Sequence, residues 1–144
     1  MSRLRQNGDD HPEAAGKHLD DAITLEAADR HDGAAYLAGY VVECSLKSLV
    51  LLEQGISTNV RSLYGHAINK LSSDVIKLAA LPSAKTARYI PEFSEDDSLR
   101  DHWKETLRYR APGTVSAETA GNWVKEAKSV YDSTIVLMRL DGVI

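Results

Sequence analysis

Apolar positions recur at spacings of three and four along most of the chain, and no useful stretch alternates polar and apolar residues. That pattern predicts helices and no sheet. Ala15, Leu19, Ala22, Ile23 and Ala27 share one face of a first helix running to about Arg30. Asp10 or His11 can cap it, Pro12 suits its first turn, and Glu13 lies near its positive end. The stretch "AAYLAGYVVECSLKSLVLL" (34–52) is apolar on every side, so the second helix is predicted to be the central one. Asp32 is its expected N-cap and Gly55 its expected end.

A third helix is predicted over about His66–Leu81, burying Ile68, Leu71, Val75, Ile76, Leu78 and Ala79 and stopped by Pro82. Ser94 followed by Asp97 resembles a capping box for a fourth, through about Leu107. Ser116 and Glu118 open a fifth, reaching about Leu140 with Gly142 just beyond. Its apolar positions include Ala120, Trp123, Val124, Ala127, Val130, Tyr131, Thr134, Leu137 and Met138. The expected architecture is an all-α, up-and-down bundle of about five helices. Residues 1–10 are polar and aperiodic, and are expected to form a flexible tail ahead of a single domain over 11–144.

Length and composition agree with this picture. A chain of 144 residues, 43% hydrophobic and 26% charged, can bury a core without disulfides or metals. Its formal net charge of −4 gives no global attraction to nucleic acid, so such binding needs a local basic patch. Cys44, the one cysteine, lies in the apolar run and reads as a small buried hydrophobe in a reducing cytoplasm. The basic start "MSRLRQNGDD" is followed by no apolar stretch and does not read as a signal peptide. Run 34–52 approaches membrane-spanning length, but its central charges favour a buried soluble helix, so no membrane partner is expected.

The chemistry is concentrated in two places. Glu43 and Lys47 sit one helical turn apart inside the most hydrophobic segment, on the side that carries Tyr36, Tyr40 and Val50. Either they form an intrahelical ion pair facing a wet groove, or they orient other groups at a polar site between helices. The second place is "DHWKETLRYR", which supplies His102, Trp103, Arg108, Tyr109 and Arg110. Arginines can grip a phosphate bidentately and an aromatic ring can stack on a base. Alternatively, Tyr109 anchors that loop in the core and Arg108 bonds a carboxylate such as Glu43. His11, His18, His31, His66 and His102 show no zinc-site spacing, and there is no P-loop or dinucleotide-binding glycine signature. The acidic run at 95–97 is explained as a helix N-terminus. No metal or cofactor is therefore expected.

"DGAAYLAGYVVECSLKSLVLLEQG", then "YGHAINKL", then a tryptophan-containing helix ending in "LRYR", resembles the HEPN (higher eukaryotes and prokaryotes nucleotide-binding) domain family. The resemblance covers roughly residues 15–110. It implies an up-and-down helical bundle, usually a homodimer. It also implies one of three roles: a module binding RNA, nucleotide or another anionic ligand; a metal-independent endoribonuclease toxin; or the interaction component of a toxin–antitoxin pair with a small nucleotidyltransferase. For binding, the expected residues are Glu43, Lys47, Trp103, Arg108, Tyr109 and Arg110. Active members carry an Arg-x4–6-His motif on a late helix, but here no histidine follows His102, and Arg100 and His102 are too close. Arg61 and His66 have the spacing but lie at the entry to the third helix, where His66 reads first as a helix-start residue. They are the leading catalytic pair if the chain is an enzyme, with His102 in reserve. For partner docking, the stretch "YDSTIVLMRLDGVI" offers Ile135, Val136, Leu137 and Met138 as an apolar face.

Overall fold

The computed structural model describes all 144 residues. The chain is helical, with only an isolated bridge between Gln6 and Asp9. Helix α1 is His11–Ala27, α2 His31–Gln54, α3 Val60–Tyr64, α4 Ile68–Ala79, α5 Leu99–His102, α6 Ala117–Tyr131 and α7 Leu137–Leu140. A π-helical turn, Asp132–Val136, joins α6 to α7, so the last helix is continuous and the bundle has six helices.

Helix α2 is the axis of the bundle. It is apolar and long enough to cross a membrane by composition, but 78% of its most apolar window is buried inside the fold. Helices α1, α4 and α6 surround it. Ala15 and Ala22 of α1 and Ala34, Ala35 and Ala38 of α2 are all fully buried, and such small side chains let neighbouring helices approach closely. Asp10 caps α1 as expected, its carboxylate accepting the Glu13 N–H.

Several expectations need correcting. Asp32 does not cap α2, which starts at His31 with no side-chain cap. Its carboxylate instead accepts the N–H groups of Gly113 and Val115, fastening the loop before α6, and these bonds hold it below the usual carboxylate range. The third helix divides at Gly65 into α3 and α4, and His66 lies in the junction. Ile23 and Ile76, assigned to buried stripes, are 43% and 51% exposed.

The largest correction concerns residues 94–107. Only one α-turn forms, capped by Ser98 and not by Ser94, and a 3-10 turn, Glu105–Tyr109, follows. Long-range bonds outcompete a local helix here. Buried Glu126 accepts from the Ser98 hydroxyl and the Leu99 N–H, Trp123 donates to the Asp97 carbonyl, and Trp103 donates to the Tyr36 carbonyl. Residues 1–10 are likewise packed onto the bundle instead of forming a free tail. Leu4 is buried, Gln6 donates to the carbonyls of Ile56 and Thr58, and Asp10 accepts from the Ser2 N–H and hydroxyl. The C-terminal apolar face is also mostly internal: Ile135 and Met138 are fully buried, Val136 and Leu137 partly so.

Candidate functional site

Glu43 and Lys47 are each only 4% exposed. The Lys47 ammonium donates to Glu43 Oε1 at 2.7 Å and to the Gly65 carbonyl at 2.7 Å. The other carboxylate oxygen, Glu43 Oε2, lies 2.9 Å from His66 Nδ1. The pair is thus both an intrahelical ion pair and the base of a polar site between helices. Its partners come from the α3–α4 junction, not from the segment after α5.

Local sequence explains how the junction reaches them. Asn59 caps α3 through its bond to the Ser62 N–H, and Gly65 ends it with φ +53°. That left-handed conformation suits glycine. It aims the Gly65 carbonyl at Lys47 and brings the His66 ring over Glu43. An ionised carboxylate only accepts hydrogen bonds, so with Glu43 charged the ring proton sits on Nδ1 and the Nε2 lone pair is uncommitted. The His66 side chain is 42% exposed.

Above this base lies a groove of about 860 Å³ between α1, α2, the N-terminal segment and the α3–α4 junction. Its walls include Asp9, His11, Lys17, His18, Tyr40 and Arg61. Every carboxylate in it accepts a hydrogen bond from the protein. Glu43 is held by Lys47 and His66, Asp9 by Arg61 at 2.7 Å, and Glu13 by Arg139 at 2.6 Å. Burial acts to raise Asp10, but bonds from Ser2 and the Glu13 N–H outweigh it and keep this carboxyl below its ordinary range. Lys17 makes no ion pair within the chain, and Asp10 is held by hydrogen bonds alone with no cationic partner. Burial, reinforced by Lys47 for His11 and by Lys17 for His18, pushes both imidazoles down and keeps them neutral at pH 7. The Cys44 thiol is pushed up to about 12, chiefly by burial, and is no nucleophile at neutral pH.

The expected site residues therefore separate. Glu43, Lys47, Arg61 and His66 meet in the groove. Arg108, Tyr109 and Arg110 do not line it. Tyr109 is 74% exposed, so it does not anchor the core, and the Arg108 guanidinium stacks 4.8 Å from its ring centroid instead of bonding Glu43. His102 is exposed at the end of α5 and lines no part of the groove. Trp103 is buried against Gly39. It also packs edge-on to Tyr40, centroids 5.2 Å apart, while Tyr40 packs edge-on to His66 at 5.6 Å.

Sequence reasoning missed Asp9, His11, Lys17 and His18. The signal was present on α1, where His11 and His18 are two turns apart on one face. Comparison with protein-family models, with curated proteins and with solved structures finds no match to this chain.

Proposed function

We propose that the chain is a HEPN-like module that binds RNA, a nucleotide or another phosphate-bearing anion in the α1–α2 groove, acting as a homodimer in the cytoplasm. One observation carries this reading: every carboxylate of the groove accepts a hydrogen bond within the protein, whereas Lys17 and the His66 Nε2 make none. A phosphate would find an unpaired ammonium there at low desolvation cost to the protein. The groove volume is that of a small-ligand site. The test is an anisotropy titration of labelled nucleotides and short RNAs at fixed low salt. Lys17→Ala is expected to weaken binding about tenfold, near 1.4 kcal/mol. Equal affinity of variant and parent removes the groove as the site.

A second reading, metal-independent RNA cleavage, is supported by the Glu43–His66 contact. A buried carboxylate that fixes the imidazole proton on Nδ1 leaves Nε2 as a positioned base, the arrangement that general-base catalysis uses. In this reading Nε2 takes the proton of a ribose 2′-hydroxyl, whose oxygen bonds to the adjacent phosphorus as the P–O5′ bond breaks; the 5′-oxygen leaves with a proton from water, a 2′,3′-cyclic phosphate remains, and Arg61, on the same groove, faces the phosphate charge that develops. Incubation of the folded protein with RNA in chelator should then release fragments, and His66→Ala should abolish them. Intact RNA at high protein concentration refutes cleavage and leaves the binding reading standing.

A further inference from the structure

The segment ahead of α1 is a closed loop that forms part of the groove wall. Gln6 and Asp9 exchange both backbone hydrogen bonds at 2.8 Å, with Asn7 at φ 49° and Gly8 at φ 89° between them. Two successive positive φ angles are what a tight Asn-Gly hairpin turn requires. Ser2 is tied to the Asp10 carboxylate through both its N–H and its hydroxyl, so residues 2–10 close on themselves at the N-cap of α1. Gly8, Asp9 and Asp10 of this loop line the groove.

Little holds the loop to the bundle. Leu4 is the one buried side chain among residues 1–9. Gln6 donates to the Ile56 and Thr58 carbonyls, Arg3 donates to the Gly142 carbonyl, and Asp9 pairs with Arg61. The Asp9 and Arg61 side chains are 38% and 77% exposed, and ion pairs so open to water hold weakly. Arg61 gives Asp9 a single bond, from Nη2, and its guanidinium engages no other group in the protein. A phosphate can take the same guanidinium through two parallel bonds. Asp9 therefore acts as an internal anion on a cation that lines the groove.

Resting on the phosphate-ligand reading above, we infer that residues 1–9 are an autoinhibitory strap, closed by the Asp9–Arg61 pair and released when an incoming anion takes Arg61. With the strap closed, the Asp9 carboxylate stands where the ligand's negative charge has to go. An anion on Arg61 removes the ion pair and repels that carboxylate, and the preformed loop swings out about Asp10. Only the Leu4 contact and a few polar bonds resist the motion, as expected of a segment with low local stability. Closed strap and bound anion are thus alternatives, and by linkage whatever weakens one favours the other.

The probe is inorganic pyrophosphate, titrated by calorimetry into the parent, Asp9→Ala, Arg61→Ala and the double variant, with thermal melts to verify that each is folded. Asp9→Ala is expected to bind about fivefold more tightly than the parent. In the Arg61→Ala background the same substitution should gain nothing. That cycle separates competition for Arg61 from the general attraction gained by removing any acid. Trypsin cleavage after Arg5, which is exposed on the strap, reads the motion itself. Saturating pyrophosphate should speed this cut several-fold in the parent, and Asp9→Ala should speed it without ligand. Binding by Asp9→Ala but not by the parent also supports the strap. Equal affinity of Asp9→Ala and parent, a gain that persists without Arg61, or a cut at Arg5 indifferent to ligand overturns the strap and leaves the groove reading standing. If pyrophosphate binds neither protein, the groove reading falls and takes this inference with it.

Discussion

Gly39→Ala is expected to lower the melting temperature by about 10 °C. The Trp103 indole rests against α2 at Gly39, and a Cβ there would overlap its Cε2, Nε1 and Cδ2 atoms. No rotamer of alanine avoids it, so the indole must move. Moving it breaks the 3.1 Å bond from Trp103 Nε1 to the Tyr36 carbonyl and opens the edge-on contact with Tyr40. Overpacking costs about 1–3 kcal/mol and the hydrogen bond about 1 more. A total near 3 kcal/mol corresponds to roughly 10 °C for a domain of this size. An unshifted thermal melt would mean that the indole does not rest on this helix.

Glu43→Ala is expected to destabilise the fold by about 3–5 kcal/mol, more than Lys47→Ala. Lys47 is 4% exposed, and without Glu43 its ammonium keeps only the Gly65 carbonyl. A buried, uncompensated ammonium must give up its proton or pull the helix open. The converse loss is milder. Without Lys47, Glu43 keeps its contact with the half-exposed His66 ring. Replacing both residues together with leucine should recover most of the stability, because a buried ion pair exchanged for apolar side chains is often neutral or better. That double variant should nevertheless lose ligand affinity, since His66 has lost the carboxylate that positions it. Urea melts of the three variants check the order. Equal midpoints for Glu43→Ala and the parent would place the pair in solvent.

The parts of the fold legible in sequence are those set by local periodicity. Helices α1 and α6 follow from a 3.6-residue apolar period with polar caps at Asp10 and Ser116, and α2 from a long run that is apolar on every side. Residues 94–107 were not legible, because Glu126, Trp123 and Trp103 hold the backbone through bonds spanning 26 to 67 positions. The packed N-terminus escaped for a similar reason: a lone buried Leu4 and an Asp9–Arg61 pair make no local pattern. At the site, Glu43 and Lys47 announced themselves as charges in an apolar run. Their true neighbours did not, because Gly65 and His66 reach them through a turn whose geometry depends on one positive φ. The arginine–tyrosine–arginine corner looked the stronger companion by composition, yet the chain carries it outward.

The π-helical turn at Asp132–Val136 gives the C-terminal helix two angular phases. One extra residue in the hydrogen-bond ladder rotates everything beyond it by about 100° relative to an uninterrupted α-helix. Val130 and Ala127 face the core in the first phase, Ile135 and Met138 in the second. The offset also turns Arg139 towards the start of α1, where it clasps Glu13 and the Tyr131 hydroxyl. Glu13 stands at the rim of the groove. The register of the last helix thereby sets which charge faces the groove, and shortening that helix by one residue would spin the arginine away and leave a bare acid at the groove's mouth.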